Sequence, residues 1–295
     1  MIIDASSSWE DSLRERLQTH VKILATDIGG RLATSGLEKA AAYIEHQLRC
    51  SGYHALRQTF TADGYLFANI EAEISGVDRP EEILVIGAHY DTAGDLPGAN
   101  DNASGVAATL ELAREFIAAK PRRTIRWVFF ANEEPPYFQT AAMGSYVHAR
   151  RCRERKDNIT GMVSLETIGY YTDELGSQTY PMAATSGYPD RGNFLGFVTD
   201  LKSAGLLHTA LGAFRIATKL PAEGLATPRS IAGIDWSDHW SFWQFGYAAL
   251  MVTDTAPFRY PHYHTAEDTP DKLHYPRFVE AVRGLRSVVE HLANE

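Results

Sequence analysis

The chain has 295 residues, 44% of them hydrophobic and 22% charged, with 23 Gly and 13 Pro. These ordinary globular values exclude disordered, collagen-like and low-complexity chains, and the length allows one large α/β domain or two small ones with a sizeable core. The net charge is −9 with His neutral, and basic residues form only short runs such as Arg150, Arg151, Arg153, Arg155 and Lys156, so no nucleic-acid partner is expected.

The opening WEDSLRERLQTHVKILATDIGG places Leu13, Leu17, Val21 and Leu24 on one helical face, and Gly29-Gly30 stops it. A second helix is expected in LEKAAAYIEHQLRCSGY, with Leu37, Ala41, Ile44 and Leu48 as its stripe and Gly52 closing it. Two strand-like segments follow, HALRQTF and LFANIEAEI. Then EILVIGAH, TIRWVFFAN and GMVSLETIGYY read as strands buried on both faces, separated by helices in ASGVAATLELAREFIAA and MGSYVHARRC. Alternating strands and helices predict crossovers and a mostly parallel mixed sheet in a three-layer α/β/α arrangement. YAALMVTD reads as another inner strand and YPRFVEAVRGLRSVVEHL as a closing amphipathic helix. Residues 172–235 mix Gly, Pro, Ser and Thr, with a helical patch near FLGFVTDLKSAGLL, and read as a lid or excursion beside the site. One domain over 1–295 is expected, with the sheet running from about residue 80 to the end.

No apolar run approaches the ~20 residues of a membrane helix, and the N-terminus, MIIDASSSWEDSLRER, is polar and acidic rather than basic-then-apolar. Two cysteines, Cys50 and Cys152, make no disulfide framework. A cytoplasmic location and no membrane partner are the expectations.

Ligands of parallel α/β sheets bind at the carboxyl ends of the strands. Here those ends carry His89 and Asp91, then Glu133 and Glu134, then Glu166, then Asp254 with YPHYHTAEDT beyond it. Asp101 lies between the first of these strands and its helix, in GANDNASG. Carboxylates clustered at buried strand ends are hard to explain as packing, because they are rarely buried unless paired or bound to metal. Two imidazoles (His89, with His262 or His264) and several carboxylates suit Zn²⁺ without any thiolate. The inventory suffices for two ions and leaves a carboxylate to act as general base. Ordinary readings stand beside these: His89 as a core histidine, Asp101 as a turn former or cap, Asp238 and His239 as the cap of WSFWQFG.

HYDT, GANDNASG, ANEEPPYF, LETIGYY and YHTAEDT, in that order, resemble the M28 family of di-zinc aminopeptidases over roughly residues 80–275. Glutaminyl cyclases share that fold. The resemblance implies a zinc exopeptidase-like fold and two Zn²⁺ per chain. It implies that His89 and Glu166 hold one ion, that Glu134 and His264 hold the other, and that Asp101 bridges them. Glu133 would be the general base, Asp91 would sit behind His89 and orient its ring, and Asp238 would lie in a segment close to the site. Many members carry Asp where Glu166 stands. The implied reaction is removal of an N-terminal residue from a peptide or small amide substrate. A mono-zinc cyclase and a carboxypeptidase or other amide hydrolase are the alternatives, and neither residue preference nor oligomeric state is legible.

Overall fold

The computed structural model describes residues 5–32, 34–181 and 187–295. Eight strands form one mixed sheet: β1 Leu56–Ala62, β2 Tyr65–Ile74, β3 Arg79–His89, β4 Arg123–Phe130, β5 Asn158–Glu166, β6 Leu195–Asp200, β7 Ala222–Thr227 and β8 Ala249–Thr253. Their order is β1-β2-β4-β3-β5-β8-β6-β7. The centre is parallel, β4 and β5 both pairing with β3 and β8 with β5, while β1, β2 and the β6–β8 junction are antiparallel. Among the described residues seven α-helices cover it: α1 Ala5–Lys22, α2 Thr34–Cys50, α3 Gly105–Phe116, α4 Gly144–Arg155, α5 Ala204–Ala217, α6 His239–Gln244 and α7 Tyr275–Asn294. None of the described helices is long and apolar enough to cross a membrane.

Alternation along the central strands explains the three layers. Leu84, Ile86 and Ala88 of β3 and Ile125, Trp127 and Phe129 of β4 join the larger core, under α1, α2, α3, α5 and α7. Ile83 and Val85, with Val128 and Phe130, point the opposite way into a second core closed by α4 and α6. A strand apolar on both faces is stable only when both faces are covered. The chain passes from β3 through α3 to β4 on one side, then through α4 to β5 on the other, so the crossover direction reverses at β3. A crevice opens at such a reversal, beyond the carboxyl ends of the strands.

Three expectations change. The sheet begins at Leu56 rather than near residue 80, because β1 pairs with β2 and β2 pairs onto β4. The first helix stops at Lys22 and continues as a wider turn over Ile23–Ile28, closed by Gly29 at φ +79°. The patch in FLGFVTDLKSAGLL is helical only in its second half. Leu195–Asp200 is β6, held between β7 and β8, with Leu195 and Phe197 turned into the larger core. Residues 195–200 and 222–227 of the proposed excursion are therefore strands of the sheet itself, and 182–186 lie outside the described residues.

Candidate active site

The crevice gathers the residues singled out from the sequence. His89 ends β3, Glu166 ends β5, and Glu133 and Glu134 follow β4. Asp101 lies in the turn Ala99–Ser104 ahead of α3, and His264 lies in the loop after β8. Asp101 is central. Its Oδ1 is 3.3 Å from His89 Nε2, and its Oδ2 is 2.9 Å from His264 Nε2. His89 Nε2 is also 3.2 Å from Glu166 Oε2 and 3.9 Å from Glu133 Oε2, and His264 Nε2 is 3.3 Å from Glu134 Oε1. Of the predicted imidazole pair it is thus His264, not His262, that reaches the cluster; its ring stacks on Tyr263 at 3.9 Å.

Backbone-directed side chains hold these segments together. Asp91 accepts the backbone N–H groups of Glu133 and Glu134 at 3.1 and 3.0 Å, joining the end of β3 to the end of β4. Its Oδ1 is 3.4 Å from His89 Nδ1, yet that nitrogen has no hydrogen-bond partner, so Asp91 anchors the Glu pair more directly than the ring. Asn102 donates to Leu165 O and accepts from Thr167 N, fixing the Asp101 turn against the end of β5. Asp268 accepts from the backbone of Asn100 and Asp101, fixing the turn against the His264 loop. Gly98 opens the turn at φ +58°, and a Cβ there would fall 2.3 Å from Asp101 O. The Asp101–Asn102 peptide is cis.

The electrostatics are those of a site starved of positive charge. Burial, reinforced by neighbouring carboxylates, pushes Glu133 well above the ordinary carboxylate value and Glu134 up to about 7. Burial opposes a charge on His89, but Glu166, Glu133, Asp101 and Asp91 outweigh it and hold the ring protonated far above the usual range. Two three-residue donor sets, His89–Asp101–Glu166 and Asp101–Glu134–His264, have ligand atoms within 4.8 Å of one another and share Asp101. Two N or O donors around one tetrahedral zinc lie about 3.4 Å apart. Three of the four imidazole–carboxylate separations within these sets, at 3.2–3.3 Å, match that spacing, and the fourth, His264 to Asp101, is tighter at 2.9 Å. Glu134 Oε1 is buried without a hydrogen-bond partner, as a carboxylate awaiting a cation would be. Carboxylate and imidazole donors in this number suit zinc.

Ser237 and Arg31 carried no individual signal in the sequence, while Asp238 and His239 were expected near the site or as a helix cap. Ser237 Oγ donates to Glu166 Oε2 at 2.9 Å, which ties the Ser237-Asp238-His239 segment to the site. Asp238 is fully buried, neither carboxylate oxygen has a hydrogen-bond partner, and burial pushes its pKa up to about 7. His239 donates to Ile234 O at 2.7 Å and is structural. Arg31 had no motif to mark it.

A cavity of about 230 Å³ runs from Glu166 and Tyr263 out over the β8–β6–β7 end of the sheet. Val198, Leu225, Trp236 and Phe258 line it with Tyr180 and Tyr188. The tyrosine hydroxyls are spent inside the protein, on Pro189 O and Gly224 O, so the rings present apolar surface.

A parallel-centred sheet with paired carboxylate–imidazole donor sets at its strand ends is the arrangement of a metal-dependent enzyme. A family model, peptidase family M28, matches residues 69–289, and the chain belongs to that family. It is 38% identical over 282 residues to the uncharacterized protein YfbL of Escherichia coli K12, covering 92% of this chain and 86% of that one. Among solved structures it is similar to BSAP, a zinc aminopeptidase from Bacillus subtilis, with TM-score 0.77, 15% identity and coverage of 96% and 95% of the two chains. It is also similar to Fimbriiglobus ruber glutaminyl cyclase, with TM-score 0.72, 21% identity and 94% coverage of each chain. At these identities the two structures share the fold.

Proposed function

We propose that the chain is a di-zinc aminopeptidase. One observation carries this reading: the two oxygens of Asp101 face different imidazoles, at 3.3 and 2.9 Å, and so join two complete donor sets. His89 and Glu166 would hold one Zn²⁺, Glu134 and His264 the other, with Asp101 between them. Zinc bound there lowers the pKa of a water and polarises a carbonyl. Glu133 takes the proton of the attacking water and delivers it to the leaving amine. Its backbone N–H is fixed by Asp91 at 3.1 Å, which sets where its carboxylate stands. The apolar cavity beside Glu166 receives the side chain of the N-terminal residue, and its tied hydroxyls favour a large apolar one.

The solved aminopeptidase relative supports this reading, and the solved glutaminyl cyclase relative marks the alternative. A cyclase needs one zinc, whereas both donor sets are complete here. The test combines metal content with a substrate panel. Two zinc ions per chain, release of the first residue from free peptides and from C-terminal amides, and inertness of N-acetylated peptides are expected. One zinc per chain, with ammonia and no amino acid released from N-terminal glutamine, would replace it with the cyclase reading. Cleavage of N-blocked but not C-blocked peptides would replace it with a carboxypeptidase.

A further inference from the structure

Arg31 lies 38 residues before the matched region begins and is completely buried. Its guanidinium contacts no carboxylate as an ion pair among the described residues. It donates instead to five backbone carbonyls. Nε donates to Tyr90 O at 2.8 Å, Nη2 to Gly98 O at 2.8 Å, and Nη1 to Pro97 O, Leu24 O and Gly29 O at 2.7, 2.9 and 3.2 Å. Its own backbone N–H donates to Thr92 Oγ1 at 2.8 Å. Two of these carbonyls belong to the turn after α1. The other three, and Thr92, belong to the loop that leaves His89 and arrives at Asp101.

Burying a cation without a contacting anion is expensive unless every donor is satisfied and negative charge lies nearby. Each of the three guanidinium nitrogens donates to at least one carbonyl, and carboxylates lie nearby. The planar fork fills its donors with carbonyls that no single apolar residue could satisfy. Asp268, Asp91, Asp101 and Glu134 are the carboxylates whose charge it feels. The loop between residues 90 and 98 has no strand or helix of its own to hold it, and it carries Asp91 at one end and delivers Asp101 just beyond the other.

We infer that Arg31 is a positioning residue of the active site: a strut from the N-terminal helices that fixes the 90–98 loop, and through it the separation of His89, Asp91 and Asp101. The inference rests on the metal-site reading for its consequence, and on the loop contacts alone for its mechanism. The N-terminal helices are then part of the catalytic unit, although the family match does not reach them.

The test uses the full chain with Arg31→Lys and, as a variant that strands no charge if Lys unfolds the protein, Thr92→Val, which removes the tie to the Arg31 backbone N–H together with the hydroxyl's own bond to Gly94 O. Backbone hydrogen exchange is followed in the metal-free protein, and Zn²⁺ alone is titrated against a chromogenic chelator. Exchange across 90–101 is expected to quicken at least tenfold in Arg31→Lys and detectably in Thr92→Val. Zinc affinity should fall at least tenfold in Arg31→Lys, because an ammonium keeps the charge and cannot span carbonyls on two loops. The kcat of Arg31→Lys should fall with KM within about threefold. Wild-type exchange over 90–101 in Arg31→Lys and Thr92→Val, or wild-type zinc affinity and kcat in Arg31→Lys, overturns the inference; if Arg31→Lys does not fold, wild-type exchange in Thr92→Val alone overturns it. A wild-type chain that binds no zinc would overturn the proposed function instead, and the exchange result would still decide this one.

Discussion

Asp101 shows how much one side chain depends on its neighbours. Its carboxylate could as well have capped α3; only its placement within 3.3 Å of both imidazoles lets it join the two donor sets. Asp91 is a similar case. The pattern around His89 suggested a ring-orienting role; the structure keeps Oδ1 3.4 Å from the ring's Nδ1 and adds a second role, both oxygens accepting from the backbone of Glu133 and Glu134. Asp91→Ala should therefore weaken zinc binding by about 10–100-fold, the usual cost of losing a supporting contact, as read by chelator competition. It should also lower kcat, because the Glu133 backbone loses its anchor. Glu133→Gln separates chemistry from binding. Zinc content should stay at the wild-type level while kcat falls by roughly 10²–10⁴-fold, the usual worth of a general base. Near-normal turnover in that variant would remove Glu133 from the role. The chemical residues were legible because polar groups at the ends of apolar strands are anomalous. Arg31 was not, because one arginine after a Gly-Gly stop resembles any surface arginine until the chain is folded over it.

At the scale of elements, β3, β4 and β5 announced themselves as uninterrupted apolar runs, and α7 as a regular stripe. β6 did not. Its six residues are short, and Lys202 and Ser203 run straight on toward α5, so helical and strand periodicity overlap there. Pairing with β7 and β8 settles the conformation, since a strand's ladder partners are remote in sequence. That strand builds the cavity wall. Val198→Trp should fill it, lowering kcat/KM for peptides beginning with Phe or Leu at least tenfold while sparing those beginning with Ala. Equal losses on both would argue that the cavity is not the side-chain site. The contact of α1 with α3 carries a pH dependence. Glu111 is buried, which alone would raise its pKa, but hydrogen bonds from His20 and Arg16 overcome this and lower it to about 2. A depressed carboxylate contributes stability above its unfolded value of 4.5, and that stability is lost as pH falls toward 2. Glu111→Gln should cost on the order of 2–3 kcal/mol at pH 7 in urea denaturation, and the gap to wild type should close between pH 4.5 and 2. A gap that stays constant would exclude the ion pair as its source.

For the molecule as a whole, the site is a reservoir of unfavourable charge. Glu133, Glu134, Glu166, Asp238 and Asp254 are all buried and all shifted upward, each first by burial. Cations should therefore stabilise the folded chain. Zinc at a hundredfold over its Kd should add about 2.7 kcal/mol per site, or roughly 4 °C in Tm, and chelation should reverse it. A Tm indifferent to zinc and chelator alike would count against any resident metal.

The amino-acid sequence alone determined the layer architecture and the chemical inventory. Both are written in local pattern: apolar runs that must be buried, and carboxylates and imidazoles where an apolar run ends. Only the tertiary structure decided which histidine faces Asp101, that residues 195–227 supply two strands and a cavity, and that Arg31 braces the loop of the site. Those are relations between atoms tens or hundreds of residues apart, and distance in space is a property of the folded chain rather than of its order.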